Sequence, residues 1–268
     1  MMNKVGFEYL DNQGETFFET FLKYTDEKEK SSAVLGKILK LLLTKEGMSF
    51  LDIGAGNGEY LRRSLNHIKS LNRIEFTLLE PSEDLIKRLR LTINEFPSNS
   101  TVKVVHSTFE DFIDNAQFDV VLASHIPFAK DQRDKLPAVF AKMLRLLKQN
   151  GSLIIVLRKK DDIHEFRTMF KSQLMGQKYQ SLTIDDAVEV FDELAKSRLL
   201  RISTFSANSE LRLPITNNMS DVISIIEFFL NKKWEEFPNN IREAVLDYVK
   251  QKKGILHQTD GFALIKKI

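Results

Sequence analysis

The chain has 268 residues, 43% hydrophobic and 28% charged, which suits one large α/β domain with a small added lobe and excludes a disordered chain. Its 39 basic and 37 acidic residues leave a net charge of +2, so the basic excess of a nucleic-acid-gripping protein is missing and nucleic acid is not an expected partner. Cysteine is absent, which excludes disulfides, zinc–thiolate sites and a cysteine nucleophile; no apolar run reaches the ~18 residues of a membrane span, and Met1–Glu15 lacks a basic-then-apolar leader pattern, so a cytoplasmic monomer is expected.

From residue 15 to 44, Phe17, Phe18, Phe21 and Leu22, then Leu35, Ile38, Leu39 and Leu42, recur at helical spacing. The charged stretch Asp26–Lys30 is read as the divider between two helices. Short apolar runs follow, at Ser49–Ile53, Ile74–Leu79, Val102–Val105, Phe118–Ala123 and Ser152–Leu157. Between them lie helical patterns at Glu59–Ile68, Ser82–Glu95, a short piece near Glu110, and Lys135–Leu147. Strands that alternate with helices predict a parallel sheet covered on both faces, doubly wound by right-handed crossovers.

Past Leu157 the regularity loosens. Ile163–Leu174 and Ile184–Lys196 read as helices, the second with Thr183 as N-cap and Asp186 near a capping-box position. Leu199–Phe205 reads as a sixth strand, Asp221–Asn231 and Asn240–Lys252 as helices, and Phe262–Ile268 as the closing strand. The expected fold is α/β, a mostly parallel, doubly wound seven-stranded sheet. A helical N-terminal cap is expected over 1–45, the core over 46–206, a helical insertion on the substrate side over 207–260, and the last strand over 261–268.

The run Phe50-Leu51-Asp52-Ile53-Gly54-Ala55-Gly56-Asn57-Gly58 takes a buried strand into three alternate glycines and then a helix. Glycine is needed where φ is positive or where a ligand must approach the backbone. Such a junction, at a sheet's carboxyl edge, is where nucleotides bind in open α/β folds. The order D-x-G-x-G-x-G is neither the G-x-G-x-x-G of dinucleotide folds nor a G-x-x-x-x-G-K-S/T phosphate loop. Asp52 ahead of the glycines suits a cationic aminoacyl group better than a phosphate. The plainer alternative is a glycine turn with no ligand.

Glu80 ends the second strand, where a carboxylate can accept both hydroxyls of an adenosyl ribose. Its rival role is to start the helix near Pro81-Ser82, for which Pro81 at the first helical position is suited. After the third strand, Thr108 and Phe109 fall where adenine contacts lie, with Glu110 and Asp111 on the helix expected next. The fourth strand ends at Ala123 and Ser124, whose tip faces the reacting group; Ser124, His125 and Phe128 are candidates for the substrate side.

L-D-I-G-A-G-N-G at 51–58, Glu80 and F-D-V-V at 118–121 resemble class I S-adenosylmethionine-dependent methyltransferases, over about Met48 to Leu157. The resemblance implies a Rossmann-like core with S-adenosyl-L-methionine as cofactor. The residues implied to bind it are Asp52, Gly54, Gly56, Gly58, Glu80, Pro81, Thr108, Phe109, Ala123 and Ser124. A narrower likeness is to the histamine N-methyltransferase family. It runs through Leu79-Glu80-Pro81-Ser82-Glu83, Lys130-Asp131, Leu136–Leu147 into Gly151–Val156, Thr183–Asp186 and the helical insertion. That family wraps a small amine, which implies a pocket from Phe17–Glu27, Ser124–Phe128 and His257-Gln258. The implied substrate-binding residues are Phe17, Glu19, Glu27, Ser124, Phe128 and Gln258; Glu27 matches the family's substrate carboxylate and Glu19 is its rival. Where the family has amides, Gln258 keeps one and Ser124 does not, and its aromatic pair becomes Pro127-Phe128.

The implied chemistry is in-line transfer of a methyl group to a neutral nitrogen, which mainly requires alignment and exclusion of water. His125 or His257 is the candidate proton acceptor, although a lone histidine is more often structural. The five histidines show no paired ligand spacing, so no metal is expected. Phe166, Phe170, Tyr179, Phe228, Phe229 and Trp234 stand at helical spacing, where core is the commoner role than cavity lining. The competing functions are methylation of RNA or protein, and cofactor binding without catalysis. No Asn/Asp-Pro-Pro-aromatic tetrapeptide follows the fourth strand, where Ser124-His125-Ile126-Pro127 stands.

Overall fold

The computed structural model describes residues 17–113, 116–126, 134–196 and 199–268. In chain order the elements are α1 (Phe17–Lys23), α2 (Glu27–Leu42), β1 (Met48–Ile53), α3 (Glu59–Leu65), β2 (Ile74–Glu80), α4 (Glu83–Thr92), β3 (Thr101–His106), β4 (Phe118–Ser124), α5 (Leu136–Arg145), β5 (Leu147–Arg158), α6 (Asp162–Met175), α7 (Ile184–Ala195), β6 (Leu200–Arg212), α8 (Met219–Leu230), α9 (Asn239–Gln251) and β7 (Ile255–Lys267). The seven strands form one sheet in the order β3-β2-β1-β4-β5-β7-β6. β3, β2, β1, β4 and β5 are parallel, and β7 runs antiparallel to β5. This is the Rossmann-like, doubly wound fold that the sequence predicts.

The strand order reverses between β1 and β4, so their carboxyl ends flank the sheet's switch point. Register brings the functional candidates to this edge. Ile53 pairs with both Leu79 and Ala123, Glu80 with His106, Ser124 with Val156, and Arg158 with Asp260.

The chain divides into two compact units. The sheet unit contains 29–159, 182–207 and 260–268. Its central strands are buried on both faces, as their near-continuous apolar runs require. One face packs Leu51, Ile53, Val121 and Ile155 against Phe140 of α5 and Phe191 of α7, whose rings stack at 4.4 Å. The other packs Phe50, Phe76, Leu122 and Ile154 against Leu35 and Leu39 of α2 and Leu61 of α3. Of the described residues, the helical unit contains 17–28, 160–181 and 208–259. Its core is the meeting of α1, α6, α8 and α9 through Phe21, Phe166, Phe170, Ile225, Phe229 and Val245. Phe166, Phe170 and Phe229 are thus core residues, each under about 5% exposed. No helix among the described residues is long and apolar enough to cross a membrane.

Four local expectations are corrected. Asp26–Lys30 does not divide the first two helices, because α2 already starts at Glu27. The break is the short stretch around Thr25, which bridges to Leu211, and the Glu27 N–H donates to the Thr25 hydroxyl at 3.1 Å. The piece near Glu110 is a turn, in which the Thr108 hydroxyl accepts the Asp111 N–H at 3.1 Å and the Thr108 carbonyl accepts the Phe112 N–H at 3.0 Å. Pro81 is not the first helical residue, since Ser82 caps α4 by accepting the Leu85 N–H at 3.4 Å. Strands β6 and β7 are longer than expected, reaching Arg212 and beginning at Ile255, so the late insertion opens and closes as strand. At α7 the capping-box reading holds, with Thr183 and Asp186 bonding reciprocally.

Candidate functional site

The glycine loop leaves β1 at the switch point. Gly54, Gly56 and Gly58 all have positive φ, at 70°, 60° and 78°. The end of β2 holds the loop: Gly54 N–H and Ala55 N–H donate to the Leu79 carbonyl, and Gly56 N–H donates to Glu80 Oε2 at 2.8 Å. The three glycines differ in what a side chain would meet. A Cβ on Gly56 would meet nothing within 4 Å, and one on Gly54 would touch Ile126 at 3.4 Å. One on Gly58 would strike Leu89 Cδ1 at 2.5 Å, so Gly58 serves the packing of α3 on α4. Gly58→Ala is therefore expected to cost about 2–3 kcal/mol through overpacking and backbone strain. Gly56→Ala is expected to cost about 1 kcal/mol in strain alone, while closing the open space in front of the loop. Urea unfolding of both variants checks this; equal midpoints would show that Leu89 yields freely.

Beneath the loop lies a buried acidic pair. Asp52 is 4% exposed and Glu80 5%. Burial first, and then the neighbouring Glu80 charge, push the Asp52 carboxyl up to about 8. Among the described residues no donor meets Asp52. Glu80 is engaged: besides Gly56, its Oε1 accepts the Ser82 N–H at 2.9 Å. Each of its oxygens keeps a free lone pair.

The strand tips beside the loop carry the remaining candidates of this unit. Pro81 is exposed, and its carbonyl lies 3.0 Å from His106 Nε2. The Thr108 hydroxyl donates to Asp111 Oδ2 at 2.8 Å. Phe109 is half-buried with Lys142 Nζ 4.7 Å above its ring. Ala123 is buried in the core and Ser124 half-buried at the tip of β4. His125 takes φ 50°, a strained left-handed backbone, and its N–H donates to the Val156 carbonyl at 2.8 Å. Its Nε2 lies 3.3 Å from Oδ2 of the buried Asp260. Phe128 lies outside the described residues.

In the helical unit, Phe17 and Glu27 are buried and Glu19 is half-buried. Lys233 Nζ sits 4.5 Å over the Phe17 ring, and Lys28 Nζ lies 3.7 Å from Glu27 Oε1. Gln258 is 1% exposed; its Oε1 accepts the Thr25 hydroxyl at 2.7 Å and the Ser209 hydroxyl at 3.4 Å. Its Nε2 is buried with no partner among the described residues. The His257 side chain is 71% exposed with its ring 3.7 Å from Glu210, and its backbone N–H donates to Asp162 Oδ2 at 2.8 Å.

The sequence reading did not single out Asp260, which joins His125 from 135 positions away. Register alone relates them, because β7 returns beside β5 and places Asp260 opposite Arg158. A cavity of about 540 Å³ lined by Ile113, Gln117, Lys142, Arg145 and Lys148 lies at the amino ends of β4 and β5, the wrong edge for this chemistry.

Residues 51–153 match the family model described as a methyltransferase domain. No curated protein matches the chain. Among solved structures, the chain is similar to the YcgJ protein of Bacillus subtilis, with TM-score 0.56, 14% identity, and coverage of 87% of this chain and 97% of that one. It is similar to a protein assigned as a sarcosine dimethylglycine methyltransferase from Galdieria sulphuraria, with TM-score 0.51, 19% identity, and coverage of 89% and 86%. It is also similar to the plantazolicin methyltransferase BpumL, solved with S-adenosylhomocysteine, with TM-score 0.50, 16% identity, and coverage of 96% and 91%. These likenesses show the fold. The matched stretch, 51–153, takes in most of β1 to β5, and the cofactor of the domains it matches is S-adenosylmethionine. The residues present fit it: open space faces Gly56, and a buried carboxyl without a donor waits at Asp52.

Proposed function

We propose that the chain transfers a methyl group from S-adenosylmethionine to a nitrogen of a small amine or imidazole-type molecule, a histamine-like acceptor. The observation that carries the cofactor half is the glycine loop seated on Glu80 above the unpartnered Asp52 carboxyl. S-adenosylmethionine, when bound, supplies a sulfonium methyl that is already electrophilic. The chain's own task is to hold and orient. Asp52 offers a carboxylate to an ammonium, and Glu80 offers its free lone pairs to ribose hydroxyls. Gly54 and Gly56 leave room for the ligand, and Thr108 and Phe109 are the residues that would hold the adenine. The Ala123–Ser124 tip would border the reacting group.

Recognition of the acceptor is assigned to Glu27 and Gln258 of the helical unit, with Phe17 and Glu19 on the same unit's first helix. The orphaned Gln258 Nε2 supports this assignment. A buried amide N–H without an acceptor costs about 1–3 kcal/mol, which a ligand's lone pair would recover. Titration with S-adenosylhomocysteine and transfer of labelled methyl to a panel of small amines, histamine included, test the function. Turnover of one or more amines is expected. Gln258→Leu is expected to raise that amine's KM about tenfold or more while leaving S-adenosylhomocysteine affinity within a factor of two. Methyl transfer to RNA or protein, with none to the panel, would replace this reading with the macromolecular one.

A further inference from the structure

His125 sits one residue before Ile126, whose side chain would touch a Cβ placed on Gly54 of the glycine loop. Its ring also faces Tyr60, in the first turn after the loop, edge-on at 6.3 Å. The imidazole therefore borders the cofactor loop from the β4 side. It is held there on two sides: its backbone is fixed by the Val156 carbonyl, and its Nε2 is fixed by Asp260 at 3.3 Å. Its Nδ1 has no partner among the described residues, and the side chain keeps 28% of its surface open.

Asp260 is an unusual residue for a strand interior. It is 1% exposed, and its Oδ1 has no hydrogen-bond partner among the described residues. A buried carboxylate left half satisfied is costly, and such groups recur where a second residue must be oriented. The charged form is nevertheless favoured. Burial opposes it, but the His125 charge and hydrogen bond, the Arg158 guanidinium and the Ser31 hydroxyl together hold the carboxyl well below the ordinary range. Tyr60 and Ser31 bond each other at 2.8 Å on the same side, and Glu27 stands one helical turn before Ser31 on α2.

We propose that Asp260 is the positioning residue that holds His125 in its Nε2–H tautomer, leaving Nδ1 as the atom that takes the proton from the methyl acceptor. A carboxylate can only accept, so the neutral ring must donate to it through Nε2 and keep its lone pair on Nδ1. The step balances. The acceptor nitrogen forms the N–CH3 bond, the S–CH3 electron pair stays on sulfur to give the neutral thioether, and the proton released by the nitrogen moves to Nδ1. The inference rests on the methyltransferase reading for its chemistry, but the tautomer does not depend on it.

The test is a long-range 1H–15N spectrum of the histidine rings, with His125 assigned by its loss in His125→Asn. Near pH 8, the wild-type ring is expected to show a protonated Nε2 and a bare Nδ1, both without ligand and with S-adenosylhomocysteine. In Asp260→Asn the two tautomers are expected to mix. On an amine that turns over, kcat should fall about tenfold to a hundredfold, with S-adenosylhomocysteine affinity within a factor of two. A wild-type ring protonated at Nδ1 would overturn the proposal, and that measurement needs no variant to fold. A mixed wild-type tautomer unaffected by Asp260→Asn would overturn it equally. Failure of S-adenosylhomocysteine to bind, with the Nε2–H tautomer intact, would count against the methyltransferase reading and not against the role of Asp260.

Discussion

Asp52→Asn is expected to stabilise the ligand-free protein above pH 8 while weakening S-adenosylhomocysteine binding at least tenfold. The Asp52 carboxyl is raised from an ordinary 3.8 to about 8, by burial first and by Glu80 second. Its folded value lies above its unfolded one. Below about pH 4 both states hold the proton and the shift has no consequence. From there to pH 8 the folded state keeps a proton that the unfolded state has released. Stability therefore falls as pH rises, by at most about 1.4 kcal/mol per pH unit for one group, and levels off past pH 8. Asn fills the same space without that titration. The difference in melting temperature between variant and parent should be small at pH 5 and largest at pH 9, where it reflects several kcal/mol. Binding has the opposite sign. An aminoacyl ammonium favours the ionised acid, so below pH 8 the ligand must displace a proton, and wild-type affinity should fall up to tenfold per unit as pH drops. The Asn variant should lose that dependence. Calorimetric melting and titration between pH 5 and 9 check both halves. A variant no more stable than wild type at pH 9 would mean that Asp52 is already ionised in the free protein.

The sheet was legible because its signals are local. Five apolar runs at Ser49–Ile53, Ile74–Leu79, Val102–Val105, Phe118–Ala123 and Ser152–Leu157 all lie inside observed strands, and the D-x-G-x-G-x-G order marked the loop at the switch point. Glu80 could be read as a strand-end acid, but not as the acceptor that seats Gly56, since that bond depends on how the loop folds back over β2. Gly58 shows the limit of motif reading: the same letter that faces open space at Gly56 makes room for Leu89 at Gly58. Strand length was less legible. Thr204, Phe205 and Ser206 carry no break signal, yet the residues beyond them, Ala207–Arg212, alternate buried and exposed only as part of β6. The Asp260–His125 pair had no sequence signal, because it arises only where the pairing of β7 with β5 brings together residues 135 positions apart.

Glu80→Gln tests whether the two acids act as a unit. Gln keeps the shape and one acceptor oxygen, so either the Gly56 or the Ser82 N–H loses a charge-assisted partner. The amide also removes the charge that is the second cause of the raised Asp52 carboxyl. Two effects follow with different signatures. Loss of a ribose acceptor should weaken S-adenosylhomocysteine at every pH, by about a hundredfold if both a ligand bond and a loop bond are lost. Loss of the neighbouring charge should move the midpoint of the pH dependence of binding below 8, but not to 3.8, since burial is the larger cause and remains. The double variant Asp52→Asn, Glu80→Gln should then bind only slightly more weakly than the worse single one, a non-additivity expected of groups in contact. Strict additivity, with the Glu80→Gln midpoint still at 8, would separate the two acids. The Asp52 shift would then belong to burial alone, and Glu80 would be left as a loop anchor.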